Sequence, residues 1–194
     1  MKTTPYQENG KDSSFSKART SKVRYLNEKK WQVAMKISRR IEIITKFNIC
    51  NEWFSSENYQ VMNYGIGGKI SQHYDSRGQI FGTNDPSNNI PLVSSERVEY
   101  GGLRMMTWMI YLSDVEVGGH TVFPQAGISI KPSVGTVLCW FNIGARNNFD
   151  SRIRHLGCPV GYGNKWIANK WIKWGSNFQT YPCLINDEHY SIMK

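Results

Sequence analysis

The 194-residue sequence predicts a mainly β domain, a sandwich or barrel, buttressed by one helix near its N-terminal end. Three observations carry this expectation. Six short segments rich in β-branched and aromatic residues follow residue 51, most of them punctuated by Gly, Pro, Asn or Asp. A single helical apolar pattern precedes them. Hydrophobic residues make up 40% and aromatics 13%, enough in a chain of this length for one full core.

Residues 1–22 are polar, with Lys, Ser and Thr frequent, and read as an N-terminal segment ahead of a domain spanning 23–185; residues 186–194 read as a C-terminal tail. From about Asn27 to Asn48, Trp31, Ala34, Ile37, Ile41 and Ile44 recur at spacings of three and four. That spacing makes one apolar stripe, which needs a larger surface to pack on, most simply a sheet. The strand candidates follow as "YQVMNYGI", "LRMMTWMIYLS", "HTVFP", "GISIK", "GTVLCWFN" and "KWIANKWIK". In the last of these, alternation puts Lys165, Ile167, Asn169 and Trp171 on one face and Trp166, Ala168, Lys170 and Ile172 on the other. Between Arg77 and Gly102 runs a long polar stretch that starts two residues after Asp75, a candidate lid.

The formal charge is +9, from 24 basic and 15 acidic residues. The densest basic cluster, "KARTSKVRYLNEKK", lacks the interleaved aromatics of a single-strand binder, so it reads as a solvated face and not as a nucleic-acid surface. No apolar run approaches the roughly 20 residues needed to span a bilayer. The first 17 residues lack the apolar core of a signal peptide, so the chain is either intracellular or preceded by a leader and further domains. The four cysteines, Cys50, Cys139, Cys158 and Cys183, form no CxxC pair, which argues against a structural zinc site. Cys139, in the apolar run "TVLCWF", and Cys50, at the end of the helical pattern, are expected to be buried thiols.

Chemistry centres on "GGKISQHYDSRG", where His73 and Asp75 stand two apart. On a strand, residues i and i+2 share a side, so an imidazole and a carboxylate there can share a cation. A site of two imidazoles and one carboxylate on one face of a metal leaves the opposite positions open, the arrangement of non-haem iron(II) oxygenases. The third ligand must come from a distant strand. His155 opens the strand-like "HLGCPV" and is the candidate; His120 sits among turn glycines, and His189 lies in the polar tail. Ten residues after His155, Lys165 opens the last strand. A lysine on an interior face is costly unless it meets an anion, and the far carboxylate of a metal-chelating dicarboxylate would be one.

The ordered motifs H-x-D, "GGHTVFP", "GTVLCWFN" and "RHLGCPVGYGNKWIANKW" resemble the catalytic domain of the collagen prolyl 4-hydroxylase α subunits, 2-oxoglutarate/iron(II) dioxygenases with a double-stranded β-helix (jelly-roll) fold. The resemblance runs from about Arg19 to Cys183 and is most specific over residues 155–171. It implies that His73, Asp75 and His155 hold Fe(2+) and that Lys165 meets the distal carboxylate of 2-oxoglutarate. It implies further that Tyr64 and Thr107 line the co-substrate pocket, that Trp171 lies beside the peptidyl proline, and that Cys158 and Cys183 form a disulfide. The implied reaction is 4-hydroxylation of proline in collagen-like X-Pro-Gly sequences, using O2 and 2-oxoglutarate, with L-ascorbate as rescuing reductant. An endoplasmic reticulum lumen and a protein disulfide isomerase partner follow from the same resemblance. A non-catalytic peptide-binding module, or the same chemistry on another protein or on lysine, stands as the alternative. Lysyl hydroxylases place an arginine where Lys165 stands, which favours the prolyl branch.

Overall fold

The computed structural model describes residues 2–3, 20–50, 52–76, 102–143 and 150–177. Most of the expected lid, together with Cys183 and His189, lies outside the described residues. In chain order the elements are β1 (Lys2–Thr3), β2 (Lys22–Leu26), α1 (Gln32–Thr45), α2 (Glu52–Ser55), β3 (Tyr59–Tyr64), β4 (Ile70–His73) and β5 (Arg104–Tyr111). They continue with β6 (Val117–Gly118), β7 (Thr121–Phe123), β8 (Ile128–Ile130), β9 (Val137–Phe141), β10 (His155–Gly157), β11 (Val160–Tyr162) and β12 (Lys165–Lys173). Three antiparallel sheets result, ordered β1-β2-β3-β12-β5-β9, β4-β10-β7-β8 and β11-β6. No helix among the described residues is long and apolar enough to cross a membrane.

The large sheet is apolar on both faces because it is covered on both. β12 lies at its centre and is buried along almost its whole length. Its Ile167 sits opposite Met62 of β3 and Tyr111 of β5, and these three join Tyr64, Met109, Val115 and Val160 in the barrel core. Ile70 of β4 and Ile130 of β8 pack against that core from the facing sheet. On the other face Ala168 and Ile172 meet α1 through two layers, one with Ala34, Tyr59 and Ile110, the other with Ile41, Met106 and Trp108. The alternation expected along "KWIANKWIK" is therefore the alternation observed. The mainly β jelly roll with a supporting helix is the architecture that forms.

Three expectations need correction. The α1 stripe buries Ala34, Ser38 and Ile41, whereas Ile44 and Trp31 are exposed. At 100° per residue Ile44 falls well to one side of the line through 34, 38 and 41, and Thr45 continues it. Cys139 is exposed, because β9 is the outermost strand of the large sheet and the Cys139 side faces away from the barrel. Cys50 is only half-buried, and burial together with the neighbouring Glu42 carboxylate pushes its thiol up to about 11. β2 lies within the basic cluster, and only Val23 of its five residues is buried; Tyr25, on the same side of the alternation, is exposed.

One buried charge ties α1 to the sheet. Lys170, wholly buried on the helix side of β12, forms an ion pair with Glu28 Oε2 at 2.8 Å and donates to the Glu57 carbonyl at 2.6 Å. Its ammonium also lies 5.0 Å from the centre of the Tyr59 ring. Glu28 in turn accepts from Ser38 Oγ of α1, which hydrogen-bonds the Tyr59 hydroxyl at 2.9 Å. Burial lowers the Lys170 pKa and Glu28 opposes that shift. Breaking a buried pair leaves an uncompensated charge, whereas replacing the charge by an apolar chain need not. Glu28→Ala is accordingly expected to cost roughly 3–5 kcal/mol in urea unfolding, and Lys170→Met clearly less.

Candidate metal and anion site

β4 and β10 are antiparallel neighbours, and their register sets His155 directly opposite His73. The turn before β4 makes this possible. Gly67 adopts φ +75°, and a Cβ on Gly68 would come 2.7 Å from the Gly65 carbonyl oxygen. The same turn is tied to β11 by Gly67 N–H donating to Val160 O at 2.7 Å and Val160 N–H donating to Gly68 O at 3.1 Å. Asp75 stands just past the end of β4 and turns back toward both rings. Its Oδ1 lies 3.6 Å from His73 Nε2 and 3.9 Å from His155 Nε2, and the two ring centres are 4.3 Å apart. One ligand atom from each of the three falls within 4.8 Å of the others.

Both imidazoles are oriented in the same way. His73 Nδ1 lies 2.9 Å from Ser71 O, and His155 Nδ1 lies 2.9 Å from Ile153 O. A carbonyl oxygen only accepts, so each Nδ1 carries the hydrogen and each Nε2 keeps its lone pair toward Asp75. Burial opposes ionisation of Asp75, but His73 and His155, when protonated at Nε2, and the Thr107 hydroxyl outweigh it and hold the carboxyl well below its usual range. Burial pushes His155 down, which favours the neutral, ligating imidazole. Two neutral imidazoles and one carboxylate suit a divalent cation and leave it net positive. These three residues fit an iron(II) centre by donor type, tautomer and convergence.

Thr107, expected to line the co-substrate pocket, gives its hydroxyl hydrogen to the Asp75 carboxylate. Its Oγ1 donates to Asp75 Oδ2 at 2.6 Å and accepts from Asn142 Nδ2 at 2.8 Å. The threonine beside Lys165 is instead Thr121. Lys165 Nζ donates to Thr121 Oγ1 at 3.1 Å, and Thr121 Oγ1 is 2.7 Å from the Tyr111 hydroxyl. Lys165 is 3% exposed, and among the described residues no carboxylate pairs with it. Burial pulls its ammonium down to about 8. Tyr64 sits opposite Lys165 in the β3–β12 register, its ring centre 5.9 Å from Nζ. A Cβ on Gly157 would lie 2.9 Å from Ile70 Cγ2 and 3.7 Å from Nζ, so the glycine keeps the space beside the ammonium open. Such a cation, aimed into the same barrel as the triad, fits an anionic group.

Trp171 lies on the same face of β12 as Lys165, toward the other end, with the Arg104 guanidinium stacked 3.6 Å from its ring centre. Glu57 holds Arg104 through two bonds of 2.5 and 2.7 Å, and Arg104 Nη1 donates to the Asp75 carbonyl at 3.2 Å. Trp140 and Phe123 flank His155, with ring centres 4.8 and 5.3 Å away. His120 is only half-buried and takes no part in the cluster. Cys158 is a half-buried free thiol, and its expected partner Cys183 lies outside the described residues. Sequence reasoning missed Thr121, Tyr111, Arg104, Glu57 and Asn142. Alternation within "HTVFP", which puts Thr121 on the face of buried Phe123, was the one available signal.

Comparison with known proteins gives the same picture. Residues 59–173 match the family model described as the 2OG-Fe(II) oxygenase superfamily. Over 170 residues the chain is 35% identical to the prolyl 4-hydroxylase subunit alpha-1 of Gallus gallus, a match covering 87% of this chain and 30% of that protein. The Homo sapiens subunit alpha-1 is likewise 35% identical over 170 residues, with 87% and 29% covered. The chain thus spans less than a third of the length of these curated relatives. Among solved structures it is similar to the viral collagen prolyl hydroxylase of Paramecium bursaria chlorella virus-1 in its 2OG complex. That similarity has a TM-score of 0.64 at 26% identity and covers 81% of this chain and 80% of that one.

The geometry gives a direct expectation for metal binding. His155→Ala removes one of three convergent donors and should weaken Fe(II) binding by at least about 100-fold in anaerobic chelator competition. His120→Ala should leave it unchanged.

Proposed function

The chain belongs to the 2OG-Fe(II) oxygenase superfamily, and we propose that it is a peptidyl-proline 4-hydroxylase acting on collagen-like X-Pro-Gly sequences, with 2-oxoglutarate converted to succinate and CO2. The observation that carries the reading is a His–Asp–His cluster sharing one barrel with a buried lysine that has no acidic partner among the described residues. Proline as the target is supported by 35% identity to prolyl 4-hydroxylase alpha subunits.

His73, Asp75 and His155 hold Fe(2+), which when bound supplies the activation of O2. Lys165 and Thr121 bind the distal carboxylate of 2-oxoglutarate, with Tyr64 and Tyr111 walling the ammonium. A buried ammonium facing a carboxylate neutralises two charges that neither solvent nor another side chain would stabilise there. Trp171, held flat by the Arg104–Glu57 clamp, offers an aromatic face to the pyrrolidine ring. L-Ascorbate serves as reductant after uncoupled turnovers. Residues 23–185 form the catalytic domain, its setting is the oxidising lumen of the endoplasmic reticulum, where the Cys158 thiol can pair with Cys183, and protein disulfide isomerase is its partner; the resemblance to the α subunits supports all three.

Incubation with Fe(II), 2-oxoglutarate, ascorbate and a (Pro-Pro-Gly)n peptide should add the mass of one oxygen per turnover, with matching succinate. Neither product forming would overturn the reading. Co-substrate binding should also follow Lys165. The protonated amine is the binding form, so affinity is constant below about 8 and falls as pH rises through it. The KM for 2-oxoglutarate should then climb by about tenfold per pH unit until the bound-state pKa is passed. Lys165→Met should raise that KM by roughly 10–100-fold, the worth of a charge-assisted hydrogen bond, and abolish the dependence.

A further inference from the structure

We infer that Thr107 and Asn142 are positioning residues that restrict Asp75 to a single metal-ligating oxygen. This rests on the iron reading of the triad and adds a constraint on how its carboxylate is used. Thr107 and Asn142 are both fully buried, and Asp75 is 9% exposed. An ionised carboxylate has no hydrogen to give, so the single hydroxyl proton of Thr107 must point to Asp75 Oδ2. The hydroxyl oxygen then needs a donor, and Asn142 Nδ2 is that donor. The order Asn142, Thr107, Asp75 is thus fixed in one direction by donor chemistry.

Position reinforces the direction. Thr107 sits mid-strand on β5, fully buried, with Trp171 of β12 and Trp140 of β9 as its register partners on either side. Asn142 is anchored just past β9, where its N–H donates to Met105 O at 2.7 Å. With Oδ2 occupied, Oδ1 is the oxygen that faces both Nε2 atoms. The consequence is a matter of coordination number. Three protein donors would leave the other positions on iron(II) to a two-point chelating co-substrate and O2. Released from Thr107, the carboxylate would no longer be held with Oδ1 toward both Nε2 atoms, which loosens the metal, and its second oxygen could enter the positions that the co-substrate and O2 need. Groups that orient ligands in this way commonly account for 10–100-fold in metal affinity.

The test uses Thr107→Val, which keeps shape and removes the hydroxyl, and Thr107→Ser, which restores it. The readouts are anaerobic Fe(II) affinity by chelator competition and the visible charge-transfer absorption that appears as 2-oxoglutarate is titrated in. Thr107→Val should weaken Fe(II) binding by 10–100-fold and diminish the absorption. Thr107→Ser should return both to within about threefold of wild type, and Asn142→Ala should fall between. Wild-type affinity and absorption in Thr107→Val, with or without a lowered Tm, would reduce Thr107 to a packing residue and overturn the inference. If Thr107→Val fails to fold, unchanged Fe(II) binding by Asn142→Ala overturns it instead. A wild-type protein that binds no Fe(II) would overturn the metal reading itself, which is a separate outcome.

Discussion

Two lysines in one buried strand set the logic of the molecule. Lys165 and Lys170 are five residues apart on β12, so they face opposite sides of the central strand of the large sheet. Both are withdrawn from water, and a buried ammonium must be answered by something. The fold answers Lys170 internally, through Glu28 and the Glu57 carbonyl, and so fastens the supporting helix to the sheet. Among the described residues Lys165 receives a threonine hydroxyl and two aromatic walls, with no carboxylate. One charge is spent on structure, and the other remains available for an anion in the barrel.

The metal side of the barrel follows the same economy of donors and acceptors. Each histidine gives its Nδ1 hydrogen to a main-chain carbonyl two residues back, which aims Nε2 inward. Asp75 divides its oxygens, one toward those nitrogens and one to Thr107. Two threonines on neighbouring surfaces of the barrel thus do comparable work on opposite charges, Thr107 on a carboxylate and Thr121 on an ammonium. Glu57 connects the two layers: its carbonyl accepts from Lys170 on the helix side, while its carboxylate holds Arg104 against Trp171 and the Asp75 main chain.

Much of this was legible in sequence because it depends on periodicity or on rare residue types. Alternation in "KWIANKWIK" placed Lys165 and Trp171 on one face, and there are only four histidines from which to compose a triad. His73, Asp75 and His155 were named from H-x-D and the "RHLGCPV" block, and the fold brings their ligand atoms within 4.8 Å. Other features were not legible for identifiable reasons. Cys139 looked buried because its neighbours are apolar, but strand order put it on an edge. β2 was hidden because its short alternation, Val23 and Tyr25 alternating with Lys22 and Arg24, is submerged in a basic run.

By itself, then, the sequence determined the β-rich class, the helix that covers it, and the chemical identities of the residues that converge, since burial periodicity and donor type are properties of the chain read locally. Only the tertiary structure decided which threonine meets the carboxylate and which meets the lysine. Both are strand residues, and their hydroxyls find partners 32 and 44 positions away. Such pairings are set by the register and facing of strands from different sheets. A one-residue slip would turn either hydroxyl to the opposite face, and nothing in the local pattern of "RMMTW" or "GGHTVFP" records that choice.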